Sequence, residues 1–218
     1  MIKIAPSTNP AKEESLVDYV KSLQELNVDF VHCDVMDGVF VENKCLSYET
    51  LRDIKNNTLL PLDVHLMVKD PAKVLDKYCK LRCTVLTVHY EAFSNEYALI
   101  LALNKIRESK ALVGLSIKPM TPVNKILHLL KYVDLVLIMG VEPGKSGQKM
   151  LSNTAPKVKE LRSYIYDNGL DTIIEVDGGV NEDNIKSLVN SGVDIVVMGK
   201  YFYESNKKSE LIKKIHKM

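Results

Sequence analysis

The 218-residue sequence contains no tryptophan, and aromatic residues make up only 6% of it. Its four cysteines form neither a Cys-X-X-Cys pair nor a recognisable metal knuckle: Cys33, Cys45, Cys79 and Cys83. A cysteine-based metal site is therefore not expected. Cysteines without such a pattern are typical of a reducing compartment, so we expect a cytoplasmic protein.

Long hydrophobic runs are also missing. No apolar stretch approaches the ~18 residues that a membrane-spanning helix requires. The first ten residues, MIKIAPSTNP, lack the apolar core of about 7–15 residues found in a signal peptide. The sequence therefore predicts a protein that does not associate with membranes.

Neither sign of charge is in excess. The 29 basic residues almost balance the 28 acidic ones, and the formal net charge is +1. Without a strong overall field, neither nucleic acid nor an anionic membrane is an expected partner. No linker rich in proline, glycine or serine interrupts the chain, so we expect one domain over residues 1–218.

The chain does contain a repeated alternation of short β-branched runs with stretches of helical periodicity. Helices are predicted in two pieces within about 13–51 and then over about 72–81, 95–108, 122–132, 153–168, 182–191 and 205–217. The strand runs are Ile2–Ala5, Phe30–Val35, Leu62–Met67, Val85–His89, Leu112–Ile117, Leu135–Met139, Ile173–Val176 and Asp194–Met198.

Strict alternation of strands and helices predicts a parallel sheet, because parallel strands need crossover connections. Eight strand–helix units in 218 residues predict an eight-stranded parallel (β/α)8 barrel, or TIM barrel. An open, doubly wound sheet is the structural alternative. In such barrels the chemistry takes place at the carboxyl ends of the strands, so candidate site residues are sought there.

Polar side chains gather near the carboxyl ends of three predicted strands. Side chains alternate between the two faces of a strand. This places His32 with Asp34 and Met36, Asp63 with His65 and Met67, and Glu175 with Asp177. Converging histidines and carboxylates suit a divalent cation. We therefore predict a metal site made by His32, Asp34, His65 and Asp177, the alternative being that each histidine is a hydrogen-bonded core residue.

Glycines follow the last three predicted strands. The loops after strands seven and eight of such barrels often bind phosphate through backbone N–H groups. Glycine is also common in turns, so each glycine alone is weak support. Together they predict a phosphate site that includes Gly144, Gly147, Gln148, Gly178, Gly179 and Gly199.

Over essentially its whole length the chain resembles the ribulose-phosphate 3-epimerase family. The resemblance is carried by IAPS at 4–7, HCDVMDGVFVEN at 32–43, LDVHLMV at 62–68, VDLVLIMGVEPGKSGQ at 133–148 and EVDGGV at 175–180. It implies a (β/α)8 barrel that acts on a small sugar phosphate. It further implies one divalent ion per chain (zinc, iron, manganese or cobalt) and a homo-oligomer.

The resemblance also implies roles for individual residues. The metal ligands of the family match His32, Asp34, His65 and Asp177, and the two aspartates also act as acid and base on opposite faces of C3. His65 and Ser7 match residues beside the substrate, and a loop at 143–148 matches one that closes over it. The methionines that line the family's pocket match Met36, Met67 and Met139.

Departures from the family pattern lie around the substrate. The loop reads EPGKSGQ where the family usually has NPGFGGQ, Lys118 replaces an asparagine, and Lys200 replaces a serine. Lys200 is therefore added to the candidate substrate-binding residues. We predict interconversion of D-ribulose 5-phosphate and D-xylulose 5-phosphate, with D-allulose 6-phosphate 3-epimerase as the alternative.

Two other functions are alternatives on a barrel of this kind. A phosphosugar lyase or decarboxylase would often carry an Asp-X-Lys-X-X-Asp motif or a Schiff-base lysine. The second strand instead reads Asp34-Val-Met-Asp37, without a lysine. A non-catalytic phosphate-binding barrel would be expected to have lost an acid or a ligand, and all four positions are intact.

Overall fold

Nine strands and eight helices, numbered in chain order, make up the computed structural model, which describes residues 1–12 and 15–218. The strands are β1 (Lys3–Pro6), β2 (Val31–Asp37), β3 (Lys44–Cys45), β4 (Leu62–Met67), β5 (Val85–His89), β6 (Leu112–Ile117), β7 (Leu135–Met139), β8 (Ile173–Asp177) and β9 (Ile195–Met198). The helices are α1 (Leu16–Glu25), α2 (Tyr48–Asn57), α3 (Pro71–Cys79), α4 (Glu96–Glu108), α5 (Thr154–Asp167), α6 (Ile185–Ser191), α7 (Lys200–Glu204) and α8 (Lys208–His216).

The sheet runs in the order β1-β9-β8-β7-β6-β5-β4-β2-β3, and all pairs except β2–β3 are parallel. β1, at one end of this order, also pairs with β2, the last parallel strand at the other end. The N–H of Phe30 donates to the carbonyl of Ile4 (3.3 Å), and the N–H of Thr8 donates to that of His32 (2.9 Å). Ser7 and His32 form a parallel bridge. These bonds close the eight parallel strands into the predicted barrel.

Two hydrophobic layers hold the barrel together. The larger layer lies between strands and helices and includes Cys33, whose side chain therefore points away from the barrel interior. A smaller layer fills the interior with residues such as Leu137 and Val197. Several polar side chains on the strands are also fully buried, among them Thr87. Thr87 leaves no space for a side chain at Gly114 on the neighbouring strand.

Local signals set several helix ends. The side chain of Ser47 accepts the N–H of Thr50 at the start of α2, and Asn95 accepts that of Ala98 in the first turn of α4. Pro71 opens α3, where its missing N–H costs nothing. Gly192 follows α6 in the left-handed conformation, with φ of 97°.

The predicted elements differ from the structure in four places. The helix predicted over 122–132 is a pair of 3₁₀ turns, Val123–Lys125 and Leu127–Tyr132. Its buried residues Val123, Ile126 and Leu129 recur every three positions, which is the period of a 3₁₀ helix. The stretch predicted over 205–217 is preceded by a separate helix, α7.

The antiparallel strand β3 was not predicted, and α2 extends to Asn57, beyond the predicted end near 51. Residues 13 and 14, where the first helix was predicted to begin, lie outside the described residues. Among the residues that are described, no helix combines the length and the apolarity needed to cross a membrane.

Candidate active site

The candidate metal ligands lie on three strands whose register brings them to one level. Parallel pairing of β2 with β4 sets His32 opposite Asp63 and Asp34 opposite His65. Asp177 is the last residue of β8, across the barrel mouth. All three strands end at the same face of the barrel, so alternation alone directs these side chains into its interior.

The ligand atoms converge. His32 Nε2 and His65 Nδ1 each lie 3.4 Å from Asp34 Oδ1. One atom from each of His32, Asp34, His65 and Asp177 can be chosen so that all four lie within 4.8 Å of one another. Two ligands at ~2.0–2.1 Å from a tetrahedral ion lie roughly 3.3–3.4 Å apart, so this spacing fits a divalent ion such as zinc.

Two buried nitrogens in this group are without partners. Neither His32 Nε2 nor His65 Nδ1 has a hydrogen-bond partner among the described residues, although both rings are fully buried. A buried polar atom without a partner costs roughly 1–3 kcal/mol. Two imidazole nitrogens that converge with a shared carboxylate oxygen are an arrangement that a bound cation would satisfy.

The two aspartates have opposite electrostatic surroundings. Burial works to raise the pKa of Asp34, but His32 and His65 outweigh it and lower that pKa well below its usual range. Burial and the neighbouring charge of Asp34 raise the pKa of Asp177 to about 6. Ser7 Oγ donates to Asp34 Oδ2 (2.7 Å) and accepts the N–H of Asn9 (3.0 Å). Asp34 is therefore the ionised aspartate, fixed by Ser7, and Asp177 is the one that is more readily protonated.

Behind His32, two further carboxyl groups are buried in the barrel interior. His32 Nδ1 bonds to Asp63, and Glu175 Oε1 lies 3.9 Å from the same nitrogen. Burial lowers the pKa of His32, but Asp63 and Asp34 outweigh this and raise it well above the usual value. Burial, with the charge of Asp63 beside it, raises the pKa of Glu175 well above its usual value.

Behind His65, a second chain of contacts leads away from the pocket. His65 Nε2 lies 2.9 Å from His89 Nε2, and His89 Nδ1 lies 3.2 Å from Glu91 Oε2. His89 is the last residue of β5, and it is completely buried between His65 and Glu91. Burial lowers the pKa of His89 to about 4.

A pocket of about 250 Å³ opens above the four candidate ligands. Asp34 and Asp177 line its floor, whereas His32 and His65 are not among the described residues that line it. The pocket gathers the other predicted substrate residues: Ser7, Met36, Met67, Met139, Gly144, Gly147, Gln148, Gly178, Gly179, Gly199 and Lys200. Residues from opposite ends of the chain, such as Ser7 and Lys200, therefore meet at one cavity.

The loop after β7 covers one side of the pocket and is anchored at several points. Asn43 Nδ2 donates to the carbonyl of Gly144 (2.7 Å), and Lys145 pairs with Glu42 at 3.3 Å. Gly179 has φ of 71°, and a Cβ there would lie 2.4 Å from the backbone nitrogen of Met150. Glycine at this position therefore serves the packing of the loop as well as the pocket lining.

Asp37, the last residue of β2, holds the turn that follows this strand. Its carboxylate accepts the backbone N–H groups of Val39 (2.8 Å), Phe40 (2.8 Å) and Lys69 (2.7 Å). Burial opposes ionisation, but these bonds lower the pKa of Asp37. Asp37 is not among the described residues that line the pocket, so it holds the β2 and β4 loops together rather than facing a ligand.

Sequence reasoning left three neighbours of the site without a role. Asp63 and Glu175 share faces with His65 and Asp177, so their alternation in the strands was a usable signal. Glu91 lies beyond the end of β5, in a 3₁₀ turn, and follows no strand period. Only the three-dimensional arrangement reveals its contact with His89.

Comparison with known proteins agrees with this geometry. A model of the ribulose-phosphate 3 epimerase family matches residues 3–203. The chain is 35% identical over 216 residues to the ribulose-phosphate 3-epimerase of Bacillus subtilis, covering 99% of this chain and 98% of that protein. It is 37% identical over 210 residues to the enzyme of the same name from Treponema pallidum, covering 96% and 95%.

Solved structures with little sequence similarity share the fold. A mutant tryptophan synthase α-subunit from Pyrococcus furiosus superposes with a TM-score of 0.68 at 10% identity, covering 99% of this chain and 96% of that one. Orotidine 5′-phosphate decarboxylase from Pyrococcus horikoshii gives 0.67 at 14% identity, covering 98% and 97%. At such identities the likeness concerns the barrel alone.

Proposed function

The chain belongs to the ribulose-phosphate 3 epimerase family, and we propose that it inverts C3 of a ketose phosphate, converting D-ribulose 5-phosphate to D-xylulose 5-phosphate with one divalent metal ion per chain. Membership makes the protein an enzyme of the epimerase class. One observation carries the proposal for the site: two carboxylates at the pocket floor converge with two buried histidine nitrogens that have no hydrogen-bond partner among the described residues. A pocket of about 250 Å³ suits a small metabolite.

His32, Asp34, His65 and Asp177 would hold the ion, because their ligand atoms lie close enough to share it. A bound divalent ion would supply Lewis-acid stabilisation of negative charge on the substrate. Ser7 would keep the Asp34 carboxylate in place through its 2.7 Å hydrogen bond.

Asp34 and Asp177 would transfer the protons. One carboxylate takes the proton from C3, and the electron pair of the C–H bond moves into an enediolate with the C2 carbonyl. The other, protonated, carboxyl group delivers a proton to the opposite face of C3. Such a pair needs unlike protonation states, and the lowered pKa of Asp34 with the raised pKa of Asp177 supports this division.

Three methionines would form the apolar wall beside the planar enediolate. Met36, Met67 and Met139 line the pocket and are themselves buried. Their thioether side chains are polarizable and adapt to a flat ligand. By excluding water from this side they would keep the enediolate from being protonated by water instead of by a carboxyl group.

The phosphate would lie at the far side of the pocket, where Gly178, Gly179 and Gly199 meet the loop after β7. Lys200 also lines this region, and its Nζ lies 3.8 Å from Glu204. A long cationic side chain there could bind the phosphate of a five-carbon or of a six-carbon sugar. This observation keeps D-allulose 6-phosphate, which shares the same C1–C3 unit, as the second candidate substrate.

The experiment that tests the proposal compares the two sugars directly. Protein stripped of metal and reloaded with zinc, iron, manganese or cobalt is assayed for epimerisation of D-ribulose 5-phosphate and D-allulose 6-phosphate. We expect activity that depends on reloading and a higher kcat/KM for the five-carbon sugar. A tenfold preference for the six-carbon sugar would overturn the substrate assignment, and full activity of the metal-free protein would overturn the metal site.

A further inference from the structure

The chain of contacts behind His65 has a function that the proposed reaction does not use directly. We propose that Glu91, acting through His89, is a positioning residue that holds His65 in the tautomer with its proton on Nε2 and the lone pair of Nδ1 directed at the metal position. The inference rests on the metal site of the proposed function. It adds two residues, Glu91 and His89, to the machinery around that site.

Glu91 sets the direction of the hydrogen bonds that run from Glu91 through His89 to His65. Its Oε1 accepts the backbone N–H of Lys118 (2.7 Å) and the hydroxyl of Thr121, and its Oε2 faces His89 Nδ1 at 3.2 Å. Burial opposes ionisation, but these hydrogen bonds outweigh it and lower the pKa of Glu91 to about 2. An ionised carboxylate can only accept hydrogen bonds, so His89 Nδ1 must be the donor.

The remaining steps follow from the two imidazole rings. A neutral imidazole with its proton on Nδ1 has only a lone pair on Nε2. His89 Nε2 therefore accepts, and the 2.9 Å contact requires His65 Nε2 to donate. With its Nε2 proton engaged in this way, His65 has only Nδ1 left to offer a cation, and this is the nitrogen that lies 3.4 Å from Asp34 Oδ1.

The surrounding protein keeps this chain from rearranging. His65 and His89 are both fully buried, and the ring of Phe40 lies 4.8 Å from that of His89. The loop that holds Glu91 is itself fixed, because Lys157 Nζ donates to the carbonyls of Lys118 (3.0 Å) and Pro119 (3.2 Å). Glu91 therefore cannot turn away from His89 without breaking its partly buried hydrogen bonds to Lys118 and Thr121.

The other histidine ligand provides an internal comparison. His32 Nδ1 bonds directly to the carboxylate of Asp63, which leaves His32 Nε2 facing the same Asp34 oxygen. Metal-binding histidines generally donate their second N–H to such a partner. At His65 the carboxylate of Glu91 acts through the imidazole of His89, so two hydrogen bonds instead of one fix the orientation of the ring.

The first test reads the tautomer without any metal or substrate. In the full-length, ¹⁵N-labelled protein dialysed against a chelator, long-range ¹H–¹⁵N spectra of the imidazole rings distinguish protonated from unprotonated nitrogens. We expect protons on His65 Nε2 and on His89 Nδ1, and none on His89 Nε2. A proton on His89 Nε2, or none on His65 Nε2, would refute the proposal, whether or not the protein is an epimerase.

The second test uses Glu91→Gln to reverse the donors and acceptors in the hydrogen bonds through His89 to His65. The amide must keep its oxygen towards the Lys118 N–H, so its NH₂ group faces His89 Nδ1 and donates to it. His89 then donates from Nε2, and His65 is driven to carry its proton on Nδ1. We expect the Kd for zinc or cobalt, measured by competition with a chromophoric chelator, to rise about 10–100-fold.

A matched control is available on the surface. Glu96 Oε2 lies 2.7 Å from His128 Nε2 in an exposed pair, and Glu96→Gln makes the same chemical change away from the site. We expect it to leave the metal Kd and the His65 tautomer unchanged. A Glu91→Gln Kd within twofold of wild type would overturn the proposal. If Glu91→Gln does not fold, the wild-type tautomer decides, and if wild type binds no ion, only the proposed metal site fails.

Discussion

Asp34→Asn is the most informative change to the proposed chemistry, because it removes a negative charge while keeping the shape of the side chain. Asp34 is buried, accepts from Ser7 and lies 3.4 Å from a nitrogen of each candidate histidine ligand. An amide there can still accept from Ser7 but cannot take a proton from C3.

The size of the effect follows from the role. Loss of a general base costs about 10²–10⁴-fold in rate, or roughly 2.7–5.5 kcal/mol in activation free energy. Since Asp34 would also be a metal ligand, kcat must be measured at saturating metal, and metal content must be measured beside it. We expect the loss in kcat to persist in variant protein that carries a full equivalent of metal.

Asp37→Asn is the matched control, because it makes the same change three residues later on the same strand. An amide cannot accept all three backbone N–H groups that the carboxylate of Asp37 accepts, and the Lys69 N–H is exposed to water, so we expect a loss of roughly 0.5–1.5 kcal/mol in the free energy of unfolding. The kcat of this variant should remain within a few-fold of wild type. A kcat for fully loaded Asp34→Asn within tenfold of wild type would refute the assignment of Asp34.

Other predictions concern the opposite face, the phosphate and acid stability. Asp177→Asn should lower kcat by about 10²–10⁴-fold and block exchange of the C3 proton with solvent, measured by NMR. Lys200→Ser should change the ratio of kcat/KM for the five- and six-carbon sugars, and unchanged values for both would remove Lys200 from phosphate binding. The pKa of Glu91 is lowered from 4.5 to about 2, so its ionised form stabilises the fold above pH 4.5, and this stability is lost as pH falls towards 2. The free energy of unfolding, measured with urea, should be higher for wild type than for Glu91→Gln by up to roughly 3 kcal/mol above pH 4.5, and this difference should shrink as pH falls towards 2. Gly179→Ala should destabilise by at least roughly 1–2 kcal/mol and raise KM, because its left-handed backbone and contact with Met150 leave no space for Cβ.

The barrel could be predicted because its signals are local and repeated. Each strand run is bounded by polar turns, and period-two alternation alone directs His32 and Asp34 to one face. The 3₁₀ turns over 122–132 were mistaken for an α-helix because Val123, Ile126 and Leu129 are also compatible with a helical face over so short a stretch. The two-residue strand β3 is too short to leave a pattern.

The candidate site divides in the same way. The candidate ligands lie on the strands and the glycines lie in the loops that follow them, where the barrel makes their position predictable. Glu91 and Lys157 lie in a turn and on a helix, and their partners Lys118 and His89 are brought to them only by folding. Such contacts depend on loop conformation, which hydrophobic periodicity does not specify.

The central claim, metal-dependent proton transfer at C3 by two aspartates, is tested most directly in deuterated solvent. D-Ribulose 5-phosphate is incubated with metal-loaded and metal-free protein and followed by NMR. We expect loaded protein to form D-xylulose 5-phosphate with deuterium at C3, and metal-free protein to form none. Epimerisation at full rate without metal, or product that retains the original C3 hydrogen, would contradict it.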